Sequence, residues 1–283
     1  MKEEDKQVVV FYHASCMDGF GGALAANLIL GDKAEYIALR HGEPARLDIH
    51  DKLIYFIDFA YSVADMKQLM AQNEEVIVID HHITAKESAI LNPKSVFNNE
   101  RSGSVLAWQY FHKGKKIPRL LLHIEDFDLW NFTVPKTHEV LSFLKFVDHD
   151  FKVWKKMLKD FETVEGRKKY LADGAFGLRY EKLLFNNLAK NYAELVSFEG
   201  HEIYALNAPG YFSSDLGNLL VNMKGPMAIV WNYRNGRVGV SLRSDGKFDV
   251  GAIALKYGGG GHKASAGFAL KDCNNFPWKT LSH

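Results

Sequence analysis

Four short apolar runs rich in β-branched residues occur within the first 82 residues, and helix-like stretches separate them. The runs cover residues 8–13, 35–39, 53–58 and 76–82, and helical spacing follows over 21–30 and 62–72. Strands that alternate with helices over short loops favour a parallel sheet with helices on both faces. The pattern therefore predicts an α/β fold for this part of the chain.

The pattern changes twice further along the chain. Residues 103–190 are mainly helical, and the amphipathic stretch over 176–195 is typical of a connector. After residue 197 we expect a strand pair with a turn at Glu199 and Gly200, a capped helix over 213–223, and a hairpin over 227–244. Asn235 and Gly236 suit the type I′ turn of that hairpin, since both positions require positive φ.

These changes predict two domains of unequal size. We expect a larger parallel-sheet domain over residues 1–185, a connecting helix over 186–197, and a smaller α/β domain over 198–283. A chain of 283 residues is long enough for one large domain or two modest ones.

Composition limits the class of protein. Hydrophobic residues make up 47% and charged residues 24%, as in globular proteins, and the net charge is +1. Such a balance gives no basic field for holding long duplex DNA, although a small anionic ligand remains compatible. The segment MKEEDKQ does not resemble a signal peptide, and no apolar run reaches the length of a membrane span. We expect a cytoplasmic protein without a membrane partner.

Three of the four predicted strands end in side chains that can bind metal ions. Because carboxyl ends of parallel strands meet at one edge of a sheet, these side chains form one candidate site. Carboxylates with imidazoles suit Mn²⁺ or Mg²⁺, and two such ions form the usual device for displacement at phosphorus. An isolated aspartate at a strand end is more often structural, but the whole set is not explained in that way. The set is His13, Asp18, Asp58, Asp80, His81, His82, Asp126 and Asp128.

Four segments in this order, HASCMDGFGGALAA, IDFAYS, VIVIDHH and HIEDFDLW, resemble the four motifs of the DHH phosphoesterase superfamily. The later segments VSLRS and YGGGGHKASAGF resemble its DHH-associated nucleotide-binding domain. The resemblance covers nearly the whole chain. It points to the branches that contain nanoRNases, oligoribonuclease-like enzymes and cyclic dinucleotide phosphodiesterases.

The resemblance implies a role for each motif residue. The implied metal ligands are His13, Asp18, Asp58, His81 and Asp126, with Asp58 bridging two ions. His82, Asp58 and Asp80 form the implied catalytic group, in which Asp80 orients an imidazole and His82 faces the phosphoryl group. Asp128 is expected to cap a helix or to support the ligands. The alternative for His82 is a structural role, in which the backbone at the strand end satisfies its hydrogen bonds.

One position departs from the family pattern. Cys16 stands where the first motif most often has an aspartate, and a thiol is a poor match for Mn²⁺. We therefore expect Cys16 to be at most a weak ligand, so that one ion is loosely held.

Two further segments are candidates for binding substrate. The resemblance gives Arg243, Gly259, Gly260, Gly261 and His262 this role, and glycine backbone allows close approach to a phosphate. A flexible linker is the alternative for the glycine run. Ser102 precedes a predicted helix whose N-terminus could hold an anion, although an N-cap without ligand explains this serine equally well.

These expectations combine into one function. We expect a metal-dependent phosphodiesterase for short oligonucleotides or linear and cyclic dinucleotides, with two Mn²⁺ ions or Mg²⁺ in their place. The alternatives are a phosphomonoesterase for pAp or a related nucleotide, and a nucleotide-binding sensor with an impaired site. A homodimer is a further possibility that the sequence does not decide.

Overall fold

The structure is a computed structural model that describes residues 7–40, 43–234, 236–271 and 274–281. The described residues of Met1–Leu178 form one compact unit, and those of Arg179–His283 form a second. The long helix α8 (Val164–Tyr192) begins in the first unit and ends in the second.

A parallel sheet lies at the centre of the first unit, as the alternating pattern predicts. Its strands follow the order β2-β1-β3-β4-β5, and every neighbouring pair is parallel. The short fifth strand was not predicted. The strands are β1 (Val8–His13), β2 (Ala34–Leu39), β3 (Leu53–Ile57), β4 (Glu75–Asp80) and β5 (Val96–Phe97).

Helices cover both faces of this sheet because successive strand residues point to opposite sides. Val10 packs in one buried cluster, whereas Val9 and Phe11 pack in another together with Met66 and Leu69. The helices are α1 (Met17–Leu30), α2 (Val63–Gln72), α3 (Lys86–Ala89), α4 (Gly103–Phe111), α5 (Arg119–Asp128), α6 (Thr137–Leu144) and α7 (Phe151–Asp160).

The second unit contains a mixed sheet of order β10-β11-β9-β8-β7-β6-β12, in which β7 and β8 are parallel and the other pairs antiparallel. Its elements are β6 (Glu194–Phe198), β7 (His201–Asn207), α9 (Ser213–Met223), β8 (Met227–Arg234), β9 (Arg237–Ser244), α10 (Val250–Lys256), β10 (Gly260–Gly261), β11 (Ser265–Leu270) and β12 (Lys279–Thr280).

Most of the local predictions for this unit are confirmed. Glu199 and Gly200 have φ of 50° and 79° and connect β6 to β7. Gly236 has φ of 78° in the β8–β9 connection, while its predicted turn partner Asn235 lies outside the described residues. The connecting helix expected over 186–197 needs correction at its end, since the helix ends at Tyr192 and Glu194–Phe198 is a strand.

Within the described ranges, no helix has both the length and the apolar character that crossing a bilayer requires.

Candidate metal and phosphoester site

The carboxyl ends of β1, β3 and β4 lie side by side, and this adjacency builds the candidate site. His13 ends β1, Asp58 follows β3, and Asp80 ends β4 just before His81 and His82. Asp58 has a φ of 56°, which is uncommon outside glycine and marks a locally constrained backbone.

Asp58 lies at the centre of this group and is 1% exposed. Its Oδ2 is 3.5 Å from Nδ1 of His13, and its Oδ1 is 3.2 Å from Nε2 of His81. The two oxygens of one carboxylate thus face two different sets of donor atoms. Such an arrangement suits a carboxylate shared by two cations.

The donor atoms of Asp18, His81 and Asp128 all lie within 4.8 Å of one another. We call these three residues, together with Oδ1 of Asp58 beside His81, the carboxylate half. Nε2 of His81 is 3.4 Å from Oδ2 of Asp128 and 3.9 Å from Oδ2 of Asp18.

His13, Cys16 and Asp58 form the other set, which we call the thiol half. The imidazole nitrogen, the Sγ and the carboxylate oxygen again lie within 4.8 Å of one another. Cys16 precedes the first residue of α1, and its side chain makes no capping hydrogen bond.

The N-terminus of α4 positions Asp18. Its Oδ2 accepts a hydrogen bond of 2.6 Å from the amide of Gly103, and its Oδ1 accepts one of 3.0 Å from the amide of Ser104. The anion expected at this helix N-terminus is therefore a carboxylate of the chain itself.

Ser102 does not fit the substrate-binding role predicted for it. The side chain is fully buried, and its Oγ accepts the amide of Val105 as an N-cap. Neighbouring Arg101 is held by two hydrogen bonds to Glu125, of 2.6 and 3.0 Å. The alternative reading of Ser102 as a helix cap describes the structure, because Asp18 already takes the α4 amides.

Gly103 belongs to the site although the sequence reasoning did not select it. A Cβ at this position would lie 2.7 Å from the Cβ of Asp58 and 3.0 Å from Oδ2 of Asp18. Only glycine allows α4 to approach both carboxylates so closely. A glycine directly after a capping serine was the available signal.

The motif on α5 contributes Asp128 rather than Asp126, which was the predicted ligand. Asp126 is 3% exposed and accepts four hydrogen bonds, from the amides of Thr133 and Val134 and the hydroxyls of Thr133 and Thr137. These hydrogen bonds fasten the loop after α5 and the first residue of α6. The structure therefore brings Asp128, and not Asp126, into the cluster with Asp18 and His81.

The crowding of buried carboxylates shifts their protonation. Burial and the charge of Asp58 raise the pKa of Asp18 to about 6, and burial with the charges of Asp18 and Asp58 raises the pKa of Asp128 well above its usual range. Burial alone would raise the pKa of Asp58, but hydrogen bonds from His13 and His81 hold it below its usual range.

The imidazoles respond in the opposite sense. Burial lowers the pKa of His81, yet its hydrogen bond to Asp58 and the charges of Asp128, Asp58 and Asp18 outweigh burial and raise it to about 9. The surrounding carboxylates thus favour the protonated form of the His81 imidazole. Burial likewise raises the pKa of the Cys16 thiol, and Asp58 and Asp18 add to that shift.

A divalent cation fits this donor set. Oδ2 of Asp128 is buried and accepts no hydrogen bond from the described residues, although Nε2 of His81 lies 3.4 Å away. A carboxylate oxygen in this position, beside two further buried carboxylates, is costly unless a cation or proton compensates it. Oxygen and nitrogen donors of this kind match Mn²⁺ and Mg²⁺.

Asp80 fixes the orientation of His82. Its Oδ1 accepts hydrogen bonds from the amides of His81 and His82, at 2.6 and 3.0 Å, and is 2.8 Å from Nδ1 of His82. The hydrogen bond to Asp80 and the charge of Asp58 raise the pKa of His82 against the opposing effect of burial, which is the largest single influence.

His82 lines a cavity of about 240 Å³. Polar groups face this space beside the imidazole, including Ser62, Thr84 and Asp80. The cavity offers room for an anionic or sugar group next to His82.

Arg243 is the candidate anion-binding side chain of the second unit. Its guanidinium donates hydrogen bonds of 2.9 Å to the Leu242 carbonyl and to Oγ of Ser214, and burial lowers its pKa. Its guanidinium makes these two hydrogen bonds and no ion pair within the described residues. Arg243 pairs in register with Ser265, which hydrogen-bonds the backbone of His262.

The glycines at positions 258–261 do not all serve the same purpose. A Cβ at Gly259 would lie 2.1 Å from the Gly267 carbonyl, and one at Gly261 would lie 2.5 Å from Cα of Ala266. Both glycines are therefore required by packing against β11. Gly260 has no neighbour within 4 Å of its Cβ position, so its backbone alone faces open space.

Comparisons with known proteins agree with this architecture. The DHHA1 domain profile matches residues 212–278. An uncharacterized protein of Acanthamoeba polyphaga mimivirus is 32% identical over 301 residues, which cover 96% of this chain and 70% of the relative.

Two solved structures share the fold at low identity. A DHH domain described as a member of the s1p family of ribosomal proteins has a TM-score of 0.61 at 14% identity, covering 93% of this chain and 82% of that one. The pGpG-specific phosphodiesterase of Vibrio cholerae has a TM-score of 0.53 at 15% identity, covering 94% and 93%.

Proposed function

We propose that this chain, a member of the DHH phosphoesterase superfamily and a hydrolase of phosphoester bonds, cleaves the phosphodiester bond of short oligonucleotides or dinucleotides. The observation that carries the proposal is the position of Asp58. One carboxylate directs one oxygen towards His13 and the other towards His81, so two donor sets share it. Two ions held in this way suit in-line displacement at phosphorus.

The proposed residues of the first unit have distinct duties. The proposed metal is Mn²⁺, with Mg²⁺ as a substitute. The ions are held by His13, Asp18, Asp58, His81 and Asp128. When bound, such a pair neutralises phosphoryl oxygens and lowers the pKa of the attacking water.

His82 provides the proton chemistry. Asp80 holds Nδ1 of the imidazole, which leaves Nε2 to donate a hydrogen bond or proton to a phosphoryl or leaving oxygen. The raised pKa of His82 favours the protonated form that this duty requires. Asp80 acts as a positioning residue, since it acts through His82.

The second unit is proposed to bind the nucleotide. Arg243 suits a bidentate contact with phosphate oxygens, and the exposed imidazole of His262 and the open backbone at Gly260 add hydrogen-bond donors. The near-neutral net charge supports a short substrate, because long nucleic acids are usually held by a broad basic surface.

A turnover assay tests the proposal. Metal-free protein is supplied with Mn²⁺ and labelled linear dinucleotides, cyclic dinucleotides or pAp, with pGpG as the first substrate because the Vibrio enzyme shares the fold. We expect dinucleotide cleavage, reduced by about 10³-fold or more in Asp58→Asn.

The matched control is Asp173→Asn, an exposed aspartate on α8, which should retain wild-type turnover. Full turnover in Asp58→Asn would falsify the proposal. Cleavage of pAp alone would instead identify a phosphomonoesterase, and nucleotide binding without turnover would identify a sensor.

A further inference from the structure

Cys16 occupies a position from which its thiol can reach a metal ion. It lies between His13 and α1, and its Sγ lies within 4.8 Å of donor atoms of both His13 and Asp58. These two neighbours lie at the ends of β1 and β3, so two strands of the sheet fix their positions. The thiol therefore faces a rigid pair of donors.

The side chain of Cys16 is a poor helix cap, because a thiol is only a weak hydrogen-bond acceptor for the amides of α1. Cys16 has the extended φ and ψ of an N-cap residue, −119° and 134°, but its side chain makes no capping hydrogen bond. Serine, threonine, aspartate and asparagine fill this role in most helices. The sulfur lies beside the donor atoms of His13 and Asp58 in the thiol half.

The two halves of the cluster differ in chemical softness. The carboxylate half offers only oxygen and nitrogen atoms, whereas the thiol half offers one nitrogen, one sulfur and one oxygen. Soft thiolate donors favour Zn²⁺ and related thiophilic ions, and carboxylates favour Mn²⁺ and Mg²⁺. Sharing Asp58 does not remove this difference, since Cys16 belongs to one half only.

We infer that Cys16 is a direct ligand and that the thiol half selects a thiophilic dication such as Zn²⁺ or Co²⁺, while the carboxylate half keeps a hard ion. The inference rests on the proposed two-ion site and specifies its metals. Binding exchanges the thiol proton for the ion, and the proton passes to the buffer. It revises the expectation that Cys16 is a weak ligand to one loosely held ion.

Cobalt spectroscopy tests this assignment without any turnover. Metal-free protein is titrated with Co²⁺ and the near-ultraviolet sulfur-to-cobalt charge-transfer band is recorded. We expect the band in the wild type, its loss in Cys16→Ser and Cys16→Asp, and its retention in Cys273→Ser, which removes the other of the two cysteines.

Metal competition gives a second readout. The preference for Zn²⁺ over Mn²⁺ should fall by about tenfold or more in Cys16→Asp, because even partners that only support a ligand are worth about that much. Thermal melting of each metal-free variant establishes that it is folded.

Each failure is distinguishable. Cobalt absorption without the charge-transfer band, in a protein that still cleaves dinucleotides, overturns this inference and leaves the proposed function standing. The band without cleavage of any nucleotide supports the inference and overturns the proposed function. Absence of cobalt binding, or a band that survives in Cys16→Ser, also overturns the inference.

Discussion

The carboxylate half and the thiol half of the cluster meet at Asp58 but are built differently. Two amides at the N-terminus of α4 fix Asp18, and the last residue of α5 supplies Asp128. The thiol half depends on residues that end a strand or precede a helix. Burial and the charges of neighbouring carboxylates raise the pKa values of Asp18 and Asp128, so repulsion between carboxylates is concentrated in the carboxylate half.

The difference separates two properties of a metal centre. Excess buried carboxylate charge provides affinity for any dication, since only a cation or protons can compensate it. The type of donor decides which ion is preferred. We therefore attribute affinity mainly to the carboxylate half and selectivity mainly to the thiol half.

Removing Asp128 should have the largest effect among the changes confined to one half. Asp128→Asn removes a buried, negatively charged oxygen donor, and we expect turnover to fall by about 10³-fold. The metal-free variant should melt at or above the wild-type temperature, because a like charge near Asp18 and Asp58 is removed. Wild-type turnover in this variant would show that the carboxylate half holds no essential ion.

His82 tests whether proton chemistry is separate from both halves. His82→Gln should lower kcat by about 10²-fold while the number of bound ions stays unchanged, because positioned acids contribute about 10²- to 10⁴-fold. Kinetics and metal titration on the same sample measure both. Loss of an ion would make His82 a ligand instead.

Asp126 supplies the structural contrast to Asp128, only two positions away. Asp126→Asn disturbs a buried carboxylate that accepts four hydrogen bonds, and we expect a loss of about 2 to 3 kcal/mol in the free energy of unfolding. Chemical denaturation measures the loss, and turnover per folded molecule should persist. A stable but inactive variant would return the ligand role to Asp126.

Ser102 should show the smallest effect. Ser102→Ala removes an N-cap and should cost about 1 kcal/mol of stability without changing KM, since the side chain is fully buried. A large rise in KM with unchanged stability would restore the substrate-binding role that the sequence suggested.

The sequence predicts the sheet edge well because strand ends are local features. His13, Asp58 and His81 each follow or end an apolar run, and the parallel order that brings them together follows from alternating strands and helices. His112 and His123, which have no partner visible in the sequence, bond within the unit to the Ala25 carbonyl and to Thr137.

The choice between Asp126 and Asp128 depends on which face of α5 meets the core. Two residues are separated by about 200° around a helix, so these side chains point in nearly opposite directions. Leu121 and Ile124 are buried near Gly21 of α1, and Asp128 follows them at helical spacing. The helical spacing can be seen in the sequence, whereas the hydrogen bonds between Asp126 and the following loop cannot.

Mn²⁺ binding to metal-free protein, measured by titration calorimetry with the amount bound verified by elemental analysis, tests the central claim most directly. We expect two Mn²⁺ ions per wild-type chain, with the weaker one in the thiol half because a thiolate matches Mn²⁺ poorly. We expect at most one Mn²⁺ ion in Asp58→Asn, because both halves share that carboxylate. A single ion in the wild type, or two ions undiminished in Asp58→Asn, would contradict a centre joined at Asp58.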